Sequence, residues 1–294
     1  MTAVNCTYCQ NEVPLEWQHC PHCCHGQYFP NVRLAGDATE REALNARYNA
    51  ARADAEARGV LDRVNNFESE VLAATLVIAT SMAKLSAIAN RERDLFATYY
   101  DLMELKFAVG HGGGPIDFRR RRPQAEIELL GSERLIRKLH YGCLSIDGKS
   151  LEHYGQCTIH VSPRMIQHRA SLYSENTAVA YDRDHHFPPG HRAVWEDRGR
   201  LCVAKLASRI SNSTVTDDFK KILMKNGTNA ISDEFVEVQI LGELTIRAFL
   251  CVEIRTTQHS KPAAPTRPRS RRGTKDMQVI RNYCENNGVE CRVL

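Results

Sequence analysis

The sequence predicts an α+β protein assembled from a small metal-stapled ribbon, a long helical hairpin and a mixed, strand-rich C-terminal domain. Three observations carry that prediction. Five of the 11 cysteines crowd into the first 24 residues, four of them as two Cys-x-x-Cys pairs. A stretch rich in Ala, Glu and Arg follows, with apolar residues at helical spacing. From about residue 125 the pattern changes to short apolar or alternating stretches punctuated by Gly, Pro, Asn and Asp.

The ribbon comes first, over residues 1–36. "CTYCQNEVPLEWQHCPHC" sets the pair Cys6 and Cys9 apart from the pair Cys20 and Cys23 by ten intervening residues. Each pair turns back to offer two thiolates, and two such turns complete a tetrahedral shell for Zn²⁺. So short a segment cannot bury a core of its own, so the metal supplies its folding free energy. Four thiolates close the shell, which makes the site structural. His19, His22, Cys24 and His25 are alternative ligands, and Trp17, Tyr28 and Phe29 are either contact residues or packing. The odd cysteine total and the absence of a basic start followed by an apolar run point away from a disulfide framework and towards a reducing, cytoplasmic setting.

The hairpin is expected over residues 37–110. Asp37 and Glu40 have capping-box spacing, the first helix stops at Gly59, and Leu61, Val64, Phe67, Val71, Leu72 and Leu76 continue the helical period to Gly110. The apolar run "VLAATLVIAT" at 71–80 is too short to cross a bilayer and reads as a buried helix segment. Residues 111–128 read as a basic linker. The run "GHGGGP" lacks the order of a phosphate-binding loop, and Arg119–Arg122 form a charge run that is solvated unless it anchors an acidic partner or nucleic acid.

Residues 129–257 carry the chemistry. In "DEFVEVQILGELTI" Glu237 stands in the middle of an apolar strand. Strand alternation sends Phe235, Glu237 and Gln239 to one face and Val236, Val238 and Ile240 to the other. An ionised carboxylate does not stay in an apolar core without a partner, so Glu237 either faces a cleft or faces solvent. Glu234 and Glu243 are competitors, one on the opposite face and one in a turn after Gly242. "AYDRDHHFPPGHRAVWEDRGR" at 180–200 reads as a surface loop; its His185, His186 and His191, with Asp182 and Asp184, lack regular metal-ligand spacing, and Trp195 reads as packing. The Pro-, Arg- and Ser-rich stretch 258–275 reads as a flexible basic linker, and 276–294 as a short helix and strand packing back on the body.

"KLHYGCLS", "LEHYGQCTIHVSPRMIQHRASLYSENT" and "DEFVEVQILGEL", taken in order, resemble the ADP-ribosyltransferase superfamily across roughly residues 130–255. The resemblance implies a domain of two small sheets with NAD⁺ bound in the cleft between them. It makes Glu237 the late-strand catalytic glutamate and His140 the early-strand histidine that holds the cofactor ribose. The family places Gly directly after that His, whereas here Tyr141 precedes Gly142, which leaves His140 and Arg137 as alternatives. Ser171 resembles the polar residue of the middle strand, though the fuller Ser-Thr-Ser pattern is absent; Arg169 beside it is a phosphate contact, and Tyr173 a surface to stack on nicotinamide. The chemistry is coherent, because breaking the nicotinamide–ribose bond develops positive charge on the sugar, which a fixed carboxylate stabilises. The resemblance further implies transfer of ADP-ribose to a macromolecule, protein or nucleic acid, as in toxins, effectors and phage-defence enzymes, with a neutralising partner protein. The alternatives are an NAD glycohydrolase on the same fold, and a non-enzymatic zinc-ribbon adaptor that grips nucleic acid through Arg119–Arg122 and Arg267–Arg272.

Overall fold

The computed structural model describes residues 3–6, 8–15, 17–89, 95–104, 116–256 and 271–294. The glycine run at 110–115 and the basic tract through residue 270 lie outside them. Two short antiparallel strands, β1 (Ala3–Asn5) and β2 (Glu12–Pro14), build the ribbon. Eight more form one mixed sheet: β3 (Thr75–Thr80), β4 (Leu139–Ser145), β5 (Cys157–Val161), β6 (Ala170–Tyr173), β7 (Arg192–Val194), β8 (Glu237–Leu241), β9 (Phe249–Ile254) and β10 (Glu290–Val293). Their spatial order is β10-β9-β5-β3-β4-β8-β6-β7, all antiparallel except the β9–β10 pair. The strands thus belong to one continuous sheet rather than to two separate ones. No helix among the described residues is long and apolar enough to cross a membrane.

The helical hairpin is present but shorter than the sequence pattern implies. Its helices run Ala38–Ala57 and Leu61–Ala73, turning at Gly59, whose φ of +69° suits glycine. After Ala74 the chain becomes strand β3, so the run "VLAATLVIAT" is half helix end and half central strand. A short apolar run has no period that separates the two, and β-branched Thr75, Val77 and Ile78 favour the sheet. The capping box is only half made: Asp37 accepts from the Thr39 N–H at 2.9 Å. Glu40 instead turns inward, accepting the Gly190 N–H at 2.7 Å and pairing with Arg192 at 2.8 Å.

The hairpin and the helix Arg198–Leu206 cover one face of the sheet. Leu44, Val64, Phe67 and Val71 meet Leu172, Val238 and Ile240 there in the main core, joined by Trp195 and Leu201. The opposite face is covered near β6 and β8 by the helices Pro30–Ala35, Ile116–Leu130 and Thr177–Asp184. Residues 116–128 of the expected linker are therefore helical, part of the helix Ile116–Leu130, with Arg122 buried rather than solvated. The chain ends with the helix Arg271–Asn286 and then β10 on the sheet edge.

One irregularity of this sheet opens a space between its central strands. The β3–β4 ladder has only three rungs, Thr75 with Ser145, Leu76 with Leu144 and Val77 with Cys143. β3 nevertheless continues beside β5 to Thr80, and β4 beside β8 back to Leu139. The two central strands therefore part beyond Val77 and Cys143, and the sheet forks into two halves. Gly142 sits in the crotch, where a Cβ would fall 2.7 Å from the Val77 carbonyl oxygen and 2.8 Å from Leu76 Cδ1.

Candidate functional site

The fork holds a cavity of about 150 Å³, lined on one side by Ile78, Ala79 and Thr80 and on the other by His140, Tyr141 and Gly142. Glu237 also lines it, as do Arg122, Tyr154 and Asn176. A second, larger hollow of about 800 Å³ lies alongside and shares Phe96, Ala97 and His140 with the first. Its rim carries Arg137, Lys138 and Arg169 against Asp101 and Glu243, and Gln18 of the ribbon closes one side with Phe29.

Glu237 is 2% exposed. Its Oε1 accepts from Thr177 Oγ1 and from Gln239 Nε2, both at 2.8 Å. Thr177 is set by its position as the first residue of a helix whose N-cap is Asn176; the Asn176 side chain accepts from the Ala178 and Val179 N–H groups and donates to the Tyr154 hydroxyl. One oxygen of the carboxylate is thus pinned. The other, Oε2, stands 4.0 Å from Arg122 Nη2. Burial raises the pKa of this carboxyl, against the opposing pull of Arg122 and of the two hydrogen bonds. Phe235 and Glu237 share a face with Val77 and Cys143, while Val236, Val238 and Ile240 enter the main core, as strand alternation requires.

Arg122 is the counter-charge. Its Nε donates to Glu126 Oε1 at 2.7 Å, its guanidinium lies 3.9 Å from the centre of the Tyr141 ring and 5.0 Å from that of Tyr99, and Tyr100 donates to the other oxygen of Glu126. Two buried acids, one buried cation and three phenol rings therefore make one network beside the cavity. Nothing within the run "RRRR" marks Arg122 for burial. The available signal was Glu126 four residues on, the spacing of a helical ion pair. Strand alternation had set Gln239 on the Glu237 face, whereas Thr177, Tyr154 and Asn176 carried no signal of their own.

Tyr141 lies opposite Gln239 in the β4–β8 ladder and so shares the Glu237 face; His140 lies opposite Ile240 and points to the other. The fork lets His140 reach both hollows all the same. Burial, and then the nearby Arg169 charge, depress the His140 pKa to about 4, so its ring is neutral at pH 7. Arg169 donates to the Glu243 carbonyl at 2.6 Å on the rim of the larger hollow. Ser171 and Tyr173 share the Glu237 face but stand one strand further on, away from both hollows: Ser171 accepts from Asn31 Nδ2 at 3.1 Å, and Tyr173 is buried against Phe187. The aromatic residues that do line the smaller cavity are Phe96, Tyr99, Tyr141, Tyr154 and Phe235. Glu234 is spent on Arg209, and Glu243 follows Gly242, whose φ is +93°. The histidines at 185, 186 and 191 do not converge with Asp182 and Asp184, and His191 instead meets Ser174 Oγ at 3.0 Å.

In the ribbon, Cys6, Cys9, Cys20 and Cys23 converge in a geometry compatible with a structural metal site. Sγ–Sγ separations of 3.6 Å for Cys6–Cys23 and for Cys9–Cys20 lie close to the edge of roughly 3.8 Å that a tetrahedron with ~2.3 Å metal–sulfur bonds requires. The two halves repeat each other. The Tyr8 N–H donates to Cys6 and the His22 N–H to Cys20, each at 3.4 Å, and a left-handed residue follows each pair, Gln10 and Cys24, both with φ of 60°. Cys24 therefore serves the turn. Arg33 fastens the ribbon to the body by donating to the Leu15 and Trp17 carbonyls.

No protein-family model matches this chain, and no curated protein matches it at a significant level.

Proposed function

We propose that this protein cleaves the nicotinamide–ribose bond of NAD⁺ and transfers ADP-ribose to a macromolecule, protein or nucleic acid, with Zn²⁺ held by Cys6, Cys9, Cys20 and Cys23 as a structural ion. The observation that carries the reading is Glu237: a buried mid-strand carboxylate with one oxygen fixed by Thr177 and Gln239, lining a cavity in the fork of the sheet. About 150 Å³ admits one ring, and the adjoining 800 Å³, rimmed by Arg137, Lys138 and Arg169, offers room and charge for a pyrophosphate and a second nucleoside. In this reading Glu237 faces the ribose as its positive charge develops, in a site where a fixed charge acts more strongly than in water. Tyr141 and Tyr154 supply apolar faces for the nicotinamide ring, in the place given to Tyr173 by sequence. His140, being neutral, acts as a hydrogen-bond partner rather than as a counter-ion.

The test is release of nicotinamide from NAD⁺ by the whole protein beside Glu237→Gln, which keeps the shape and removes the charge. The expected loss is about 10²–10³-fold in turnover, the usual cost of removing one electrostatic stabiliser. Labelled NAD⁺ incubated with a cell extract, followed by separate protease and nuclease digestion, reads the acceptor; label that stays as free ADP-ribose assigns hydrolysis instead. No nicotinamide release by the wild-type protein at any pH from about 5 to 9, or full release by Glu237→Gln, refutes the proposal.

A further inference from the structure

A second group of metal-ligating side chains lies outside the ribbon, on β5 and β9 of the main sheet. β5 and β9 run antiparallel with His160 opposite Cys251 and Thr158 opposite Glu253, so His160, Cys251 and Glu253 share one face at the point where the ladder shifts register between His160 and Val161. Their ligand atoms all lie within 4.8 Å of one another. His160 Nε2 is 3.5 Å from Glu253 Oε2. Zinc bonds of ~2.0–2.3 Å imply tetrahedral edges of roughly 3.3–3.8 Å, so this pair already stands at ligand spacing.

Three further features fit a bound ion. His160 Nε2 is buried without a hydrogen-bond partner, an arrangement that is costly unless something fills it. The imidazole is held from behind by Gly148, whose φ is +76°, and a Cβ there would fall 2.7 Å from His160 Cε1. The carboxylate is oriented from outside: Arg292 Nη1 approaches Glu253 Oε1 at 3.4 Å, which leaves Oε2 turned to His160. Outer contacts of this kind aim the ligands of metal sites.

We infer that His160, Cys251 and Glu253 form a second metal site, for a zinc-class divalent cation. A thiolate and an imidazole select a borderline-soft ion over Mg²⁺ or Ca²⁺, and three protein ligands leave the fourth position to water or an added donor. Binding releases the Cys251 thiol proton. Register places this site on the same row as Glu237: Cys251, His160, Val77, Cys143 and Glu237 are opposite one another on successive strands. Three strand spacings from β5 to β8 put the ion about 14 Å from Glu237, too far to touch a ligand in the cavity. Its role is to clamp β5 to β9 at the bulge, stiffening the half-sheet that forms one side of the fork.

The experiment measures zinc per chain in the whole protein after passage over a chelating resin, beside His160→Gln, Cys251→Ser, Cys20→Ser and the double variant Cys20→Ser/Cys251→Ser. Each of the first two is expected to hold about one zinc fewer than wild type, and the double variant one fewer than Cys20→Ser, so the result does not depend on how the ribbon behaves. Cobalt substitution gives an independent readout on wild-type protein: a second cobalt per chain with thiolate charge-transfer absorption, absent from Cys251→Ser whose far-ultraviolet circular dichroism is unchanged. Zinc content indifferent to both His160→Gln and Cys251→Ser, or cobalt uptake and thiolate absorption unchanged by Cys251→Ser, overturns the assignment. Neither measurement uses NAD⁺, so its outcome is separate from that of the proposed activity.

Discussion

Arg122→Met is the most informative single change, because it removes one cation shared by two buried acids. Arg122 is 9% exposed and Glu126 is fully buried, with 2.7 Å between Nε and Oε1, and the second acid, Glu237, lies 4.0 Å away. Methionine fills most of the arginine volume, so the loss is mainly electrostatic. Removing one partner of a buried ion pair leaves an uncompensated charge and costs about 3–5 kcal/mol. At roughly 2–4 °C per kcal/mol for chains of somewhat smaller size, the melting temperature falls on the order of 10 °C. Urea denaturation followed by circular dichroism supplies the free energy, with an unchanged slope confirming that stability and not compactness has moved. Arg122→Met/Glu126→Gln should recover a large part of the loss, since replacing both partners leaves no orphaned charge. The Glu237 carboxyl, deprived of the pull of Arg122, should titrate higher still. A loss under about 1 kcal/mol is the behaviour of a surface pair and would refute the network, as would a double variant no more stable than the single one.

Two other expectations follow from the fork and its histidine. Gly142→Ala should destabilise by about 1–3 kcal/mol, because the added methyl collides with the Val77 carbonyl and Leu76, although the same exchange in an open strand is mildly stabilising; a denaturation midpoint at or above wild type would show that the crotch has room. His140 titrates near 4 in the native state and near 6.5 when unfolded, so only the unfolded chain takes up this proton between those values. Its contribution to stability is therefore whole above pH 6.5 and is lost as pH falls towards 4, a change of roughly 3 kcal/mol that His140→Asn should remove. Parallel stability curves for the two proteins between pH 4 and 7 would contradict this.

Residues whose chemistry is local were legible in the sequence, and residues whose role depends on distant partners were not. The two Cys-x-x-Cys pairs specify their own turns and converge as their spacing implies. Glu237 stood out because a carboxylate conflicts with the apolar strand around it, and the structure resolves that conflict with Thr177, Gln239 and Arg122. Strand β3 was hidden because its six residues follow a helix without a break signal, and a run apolar on both faces has no alternation to read. Arg122 was hidden because the burial of an arginine within a charge run depends on where its helix docks. The offset of Ser171 and Tyr173 from the cavity could not be foreseen either, since it depends on β8 pairing between β4 and β6.

The fastening of the ribbon by Arg33 has a consequence for how the protein can be dissected. Gln18 and Phe29 wall the larger hollow, and the Arg33 side chain spans from the body to the Leu15 and Trp17 carbonyls. A shortened protein lacking the first 28 residues would expose a buried guanidinium and open the hollow along one flank. Weak ligand affinity in such a fragment would then report a missing wall, so any assignment of separate duties to the two parts has to come from point substitutions in the intact chain.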